Sequence, residues 1–208
     1  MSKRVLNKKQ LIGILLGVGS LILILLLTIV FLTQKKDRLA NESPTLIIET
    51  PQKISRSDTN EFLVDVNISA FGDTLYPAVS MNIGFDPSRL EFISVEEGNV
   101  FIRNDENDVT QKLPQWSCNP TQSNNTGIIS IIYLDTTGGK NAFSKELLAE
   151  DDNVVLRLKF RLRGSVRKGD VCDLIFEDAV FAASNEADSL AMTRDTLKVR
   201  NGKIVIGE

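Results

Sequence analysis

Two hydrophobic rhythms divide this chain. From Leu11 to Thr33 the sequence LIGILLGVGSLILILLLTIVFLT runs without a charged residue. At ~1.5 Å per residue a helix of that length reaches roughly 34 Å, enough for the ~30 Å hydrocarbon layer of a bilayer. A cleaved leader would have a shorter apolar run and a small-x-small site after it. Here QKKDRLANES follows instead, which predicts an uncleaved membrane anchor. From Thr45 onward apolar residues recur mostly at every second position, with turn residues between the runs. That is the pattern of strands with one face buried.

The plainest case is VLRLKFRLR, where Leu156, Leu158, Phe160 and Leu162 alternate with Arg157, Lys159, Arg161 and Arg163. Side chains on a strand point alternately to opposite faces, so one face is core and the other meets water. Phe62, Val64, Val66 and Ile68 alternate in the same way, as do Val79, Met81, Ile83 and Phe85. GIISIIYLD, from Gly127 to Asp135, is apolar on both parities. It predicts a central strand, or one whose outer face a partner covers. TLIIET, LEFISV, DLIFEDAVFA, TLKVR and KIVI complete the set, and Asn201-Gly202 between the last two predicts a tight hairpin turn. FSKELLAE is the one helix expected in this region. Eight or nine strands at this spacing predict an all-β sandwich.

Charge sharpens the division. Residues 1–38 carry seven Lys/Arg against Asp37, whereas residues 39–208 carry 17 basic and 26 acidic side chains, a net charge of −9. An acidic body repels a phosphate backbone, which argues against nucleic acid as a partner. The flank before the apolar run is more basic than the flank after it. The expected topology is single-pass in the cell membrane, with a cytoplasmic N-terminus and an extracellular body. The predicted organisation is a tail and transmembrane helix over 1–33, a linker over 34–44, and a β-sandwich domain over 45–208.

Candidate chemistry is sparse. The chain has no histidine, which removes the commonest general base and metal ligand. Cys118 and Cys172 are too few for a zinc cluster; they form a disulfide or stay as two free thiols. Asn104 to Val109 superficially resembles a calcium loop, but it lacks the central glycine. The twelfth position counted from Asp105 is Trp116, where a bidentate Glu would be needed. No metal site, cofactor or catalytic constellation is expected, and the chain reads as a non-enzyme. Trp116 and Tyr133 are candidates for stacking on a sugar, set against a role in the core. Asn41, Asn67 and Asn124 stand in N-x-Ser/Thr sequons.

The stretch SMNIGFDPSRLEFISVEEGNVF resembles the second and third strands of a cohesin domain. The matching elements are Phe85-Asp86-Pro87, then Leu90-Glu91-Phe92, then Glu97-Gly98. GIISIIYLDTTGG, NVVLRLKFRLRGSVRKGD, LIFEDAVFAASNEADSL and NGKIVIG continue the resemblance in order, over about residues 45–207. It implies a nine-stranded jelly-roll sandwich that binds a dockerin, a calcium-dependent helical module, through the outer face of one sheet. Any calcium would belong to the partner. In the best-known cohesin type an outward Asn and Asp before the Asp-Pro turn contact dockerin; the matching positions here are Ala78 and Ser80. Ser80, Asn82 and Asp135 are the candidate partner contacts. The function expected is recruitment of a dockerin-bearing protein to the cell surface, linked to polysaccharide degradation. Two other readings stay open: a carbohydrate-binding module of the same fold, and a structural component of envelope assembly.

Overall fold

Among the described residues eleven strand segments, most of them built on alternating apolar side chains, stack as two sheets. The computed structural model describes residues 43–51, 53–57, 61–100, 115–150, 152–184 and 191–207. The expected anchor over 11–33, the Asn41 sequon and the Asn104–Val109 stretch lie outside the described residues. Among the described residues, no helix is long and apolar enough to cross a membrane.

The segments are β1 (Thr45–Glu49), β2 (Ile54–Ser55), β3 (Phe62–Ile68), β4 (Ala78–Gly84), β5 (Leu90–Glu97) and β6 (Ser117–Cys118). After helix α1 (Pro120–Thr126) come β7 (Ile128–Leu134), β8 (Val154–Leu162), β9 (Val171–Ala182), β10 (Lys198–Arg200) and β11 (Gly202–Gly207). One sheet has the order β10-β1-β3-β8-β5 and the other β2-β11-β9-β4-β7-β6. The sandwich is the fold expected, with eleven segments where nine strands were counted. Part of the difference is that the first and last runs each break and pass from one sheet to the other. β1 pairs with β10 and β2 with β11, both parallel.

That crossing corrects the hairpin expected at Asn201-Gly202. β10 and β11 belong to different sheets, and Gly202 lies inside β11, paired with Leu174. Asn201 accepts a hydrogen bond from the Phe176 amide at 3.0 Å, which ties the crossover to β9.

Inward side chains from both sheets fill the space between them. Phe160 on β8 packs against Phe62, Phe85 and Phe92 with ring centroids 5.7 to 6.1 Å apart. At the other end Phe71, Tyr76, Phe143 and Phe181 form a second cluster. Val64, Val66, Met81, Ile83, Ile129, Ile131, Leu156 and Leu158 are fully buried among them. Each such burial stabilises the fold by about 1.5–3 kcal/mol relative to exposure.

The helix forms at Pro120–Thr126 and not at FSKELLAE, where the chain makes a single 3-10 turn over Lys145–Leu147. Its ends explain it. Asn119 caps the N-terminus by accepting from the Gln122 amide at 3.1 Å, and Pro120 opens the first turn. Gly127 closes it with φ 73°, a left-handed conformation that costs a glycine little. Inside the helix Asn124 accepts from the Phe92 amide at 2.9 Å and donates to the Phe92 carbonyl at 2.7 Å. It thereby serves as a one-residue partner for β5, an edge strand whose open backbone would otherwise invite pairing with another chain. The Asn124 sequon is therefore engaged in the fold, and Asn67 is buried on β3.

Asn124→Ala removes the side-chain partner of both the Phe92 amide and the Phe92 carbonyl, which are part-buried. The expected loss is about 1–3 kcal/mol in urea unfolding, whereas Asn125→Ala, one residue on and exposed, should change little.

Candidate partner-docking face

The two sheets present unlike faces to their surroundings. On the five-stranded sheet the outward residues of β8 meet carboxylates on both neighbouring strands. Arg157 pairs with Asp65 at 3.1 Å, and Arg161 with Glu61 at 2.8 Å and Glu91 at 3.5 Å. Lys159 sits between Glu61, at 3.8 Å, and Glu96, whose contact lifts the Lys159 pKa above its ordinary value. Each pair is part-exposed and contributes little to stability. Together they leave the charges around β8 already matched.

The outer face of the six-stranded sheet is aliphatic along β7 and mixed on β9 and β11, where Asp173 and Lys203 also point outward. β7 turns Ile128, Ser130, Ile132 and Leu134 outward while Ile129, Ile131 and Tyr133 enter the core. Ile132 is 56% exposed and Leu134 63%. β9 adds Val171 and Ile175, and β11 adds Val205. Between β7 and β9 lies β4, whose outward residues are Ala78, Ser80, Asn82 and Gly84. The register sets them in rows: Leu134, Ala78 and Ala182; Ile132, Ser80 and Val180; Ser130, Asn82 and Asp178; Ile128, Gly84 and Ile175. In two of these rows, Ile132-Ser80-Val180 and Ile128-Gly84-Ile175, a small residue on the middle strand lies between larger ones, which makes a shallow trough. Its walls, two strand spacings apart, stand ~9–10 Å from each other. An α-helix with its side chains is ~10–12 Å across.

β9 bends at one place on this face. Its register with β4 slips between Asn82 and Ile83, so that Glu177 and Asp178 both stand where one residue would. Bulges of this kind re-aim side chains. Glu177 lies over Gly84: a Cβ there would come within 2.9 Å of Glu177 Oε1. Arg194 donates to the Glu177 carbonyl at 3.0 Å and approaches Asp178 at 4.0 Å. Among the described residues no basic group pairs with the carboxylate of Glu177.

The three residues expected as partner contacts are thus treated differently. Ser80 is exposed and Asn82 half-buried, and both lie in the trough. Asp135 leaves β7 at its end and is turned onto its own loop. Its carboxylate accepts from the Thr137 amide at 2.7 Å, the Thr137 hydroxyl at 2.5 Å and the Gly139 amide at 2.6 Å. Burial alone would raise its pKa, but those donors outweigh burial and hold it below the ordinary carboxylate value. Asp135 organises the loop and is not free to meet a partner with both oxygens.

Cys118 and Cys172 are both free thiols, which resolves the two possibilities left by the sequence. They stand on β6 and β9, three strand positions or ~14 Å apart across one sheet, and Cys118 lies in the row of Ala179, seven residues along β9 from Cys172. A disulfide needs Cα atoms ~4.4–6.8 Å apart. Burial pushes the Cys172 thiol pKa up.

The sugar-stacking role for Trp116 and Tyr133 is also corrected. Tyr133 is buried and donates to the Asn141 carbonyl at 2.6 Å, while Trp116 packs against Tyr133 and Phe143. Among the described residues no aromatic ring is exposed, so this sheet offers no stacking platform. Nor do three or more acidic or thiol side chains gather to hold a metal among those residues. The residues that sequence reasoning left out are Ile128, Ile132, Leu134, Ile175 and Glu177. For the first three the signal was present, because GIISIIYLD is apolar on both faces.

Comparison with solved structures returns the same architecture. The third cohesin of ScaC from Acetivibrio cellulolyticus, solved in complex with the ScaB dockerin, is 13% identical with a TM-score of 0.55; the match covers 79% of this chain and 99% of that one. The sixth cohesin of scaffoldin B from the same organism, solved with a dockerin, is 19% identical with a TM-score of 0.56 over the same shares. The OlpA cohesin of Clostridium thermocellum, in a type I complex with its dockerin, is 17% identical with a TM-score of 0.53, again over 79% and 99%. No curated protein matches the chain in sequence. The cohesin domain family itself matches residues 51–199. Over most of its length, therefore, this chain belongs to the cohesin domain family.

Proposed function

We propose that the chain is a membrane-tethered receptor whose six-stranded sheet receives a dockerin-like helical module. The observation that carries this reading is the inequality of the two outer faces. One has the charges of β8 matched by carboxylates on either side; the other leaves an aliphatic strip open along β7 and its neighbours. Exposed apolar patches of this kind mark interaction sites, and a helix laid in an apolar groove is a recurring mode of recognition. Structural relatives solved as dockerin complexes support the choice of partner. The departure at Ala78 and Ser80 gives the partner a different complement. Where the best-known cohesins offer an Asn and an Asp, this face offers a methyl and a hydroxyl between Leu134 and Ile132.

The apolar run over residues 11–33 supports anchorage in the cell membrane, with the N-terminus cytoplasmic and the body outside. Any link to polysaccharide breakdown would come through the recruited protein, because the sheet has no aromatic platform of its own. The chain binds and does not catalyse; calcium, where required, is held by the partner.

Residues 43–208 suit direct tests. Their core cluster runs from Leu46 to Ile206, and both sheets close within it. Titrated against dockerin modules encoded by the host genome, this fragment should capture at least one with nanomolar to micromolar Kd, and calcium chelation should abolish capture. Ile132→Glu should weaken capture at least 100-fold with an unchanged melting temperature, because substitutions at exposed sites cost little stability. A panel without a binder, or a binder indifferent to Ile132→Glu, overturns the reading. Trp116→Ala should instead lower stability by about 3 kcal/mol, since its half-buried ring packs against Tyr133 and Phe143, and should leave retention on insoluble polysaccharide no different from wild type. In intact cells, external protease should remove the body of the full-length chain and leave its N-terminal tail membrane-bound.

A further inference from the structure

We infer that the helical module seated in the trough is apolar where it meets β7 and carries a lysine or arginine where it meets the Glu177–Asp178 bulge of β9. This rests on the docking reading above and specifies the chemistry of the occupant. The face is divided along its length. At the Leu134 and Ile132 rows all three strands present methyls or a small hydroxyl. A polar group of the partner placed there would lose water without gaining a bond, which costs free energy. In the next row the bulge doubles the number of outward residues on β9, and both are acidic.

The two carboxylates there are in different states. Asp178 already has Arg194 at 4.0 Å, whereas Glu177 has no cation among the described residues and spreads over the bare backbone of Gly84. On the opposite sheet the carboxylates beside β8, Glu61, Asp65, Glu91 and Glu96, have basic partners on that strand. Glu177 is thus an unmatched charge beside an apolar row, near Ile175. A partner that covers Ile175 and Ile128 also strips water from Glu177, so a complementary cation is needed to offset the loss. An arginine would suit it best, since its planar donors fit a carboxylate in pairs. A second copy of this chain fits poorly: with a net charge of −9 over residues 39–208, two copies repel.

Glu177→Lys tests the charge. It is exposed and its substitution should leave the fold intact, checked by circular dichroism. Using the dockerin module that binds most tightly in the panel, Glu177→Lys should weaken binding at least fivefold. Raising salt from about 0.05 to 0.5 M should weaken the wild-type complex and affect the variant less. Exchanging the facing Lys or Arg of the dockerin for Glu should restore affinity to Glu177→Lys. Glu91→Lys, on the opposite sheet, should leave binding unchanged. A loss under fivefold in Glu177→Lys, with Ile132→Glu still abolishing capture, overturns the charge inference and leaves docking standing. A panel in which no dockerin binds overturns both. So does a concentration-dependent dimer in sedimentation that Ile132→Glu dissolves, since it assigns the face to a second copy.

Discussion

The interior of the sandwich decides what its exterior can recognise. Each sheet has one apolar face to bury, and the packing of Phe160 with Phe62, Phe85 and Phe92, and of Phe143 with Phe71, Tyr133 and Phe181, closes the two together. The same packing takes Tyr133 and Trp116 inward, where they contact each other at 5.4 Å. Because strand side chains alternate, committing Tyr133 to the core turns Ile132 and Leu134 out. The aliphatic face is the necessary reverse of the aromatic core, since a register shift of one residue would exchange the two sets.

Period-two alternation made most of the strands legible in the sequence, with their buried faces. Val79, Met81 and Ile83 on β4, and Leu156, Leu158 and Phe160 on β8, are buried as their spacing required. What alternation could not convey was which strands pair. TLKVR and KIVI are adjacent and joined by Asn-Gly, yet their partners are β1 on one side and β2 and β9 on the other, far away in sequence. Helices were misplaced for a related reason. Phe143 and Leu147, four apart and both buried, imitate one stripe of a helix, but Phe143 is held by a bridge to Tyr76. PTQSNNT has no apolar periodicity at all. Its signal lay in the caps, Asn119 before a proline and Gly127 after the last turn, which satisfy the free ends of a helix too short to be specified by a hydrophobic face.

Of the candidate face, the sequence pointed to outward positions on β4 and to one residue after β7. Ser80 and Asn82 were legible because they alternate with core residues. Asp135 was not, because its spacing says nothing of the Thr137 and Gly139 amides that claim it. Glu177 was hidden by the bulge. In a regular strand Glu177 and Asp178 would face opposite ways, and only the slip in register against Asn82 and Ile83 sets both carboxylates on one surface.

The same alternation separates affinity from selectivity on this surface. Burying Ile132, Leu134 and Ile175 gives a favourable term that is non-directional, so any apolar helix of suitable width would gain from it. Discrimination has to come from groups whose burial is unfavourable unless matched, and Glu177 and Asn82 are the ones placed inside the apolar frame. A partner that fits the trough but brings no cation leaves a desolvated carboxylate and is rejected by it, in the manner of a device against wrong partners. On the other sheet the corresponding charges are satisfied by Arg157, Lys159 and Arg161, which removes that means of selection. Matched charge on one face and withheld charge on the other therefore give the two surfaces opposite consequences for a passing protein: the first offers it nothing to complete, the second an apolar seat with one unmet requirement.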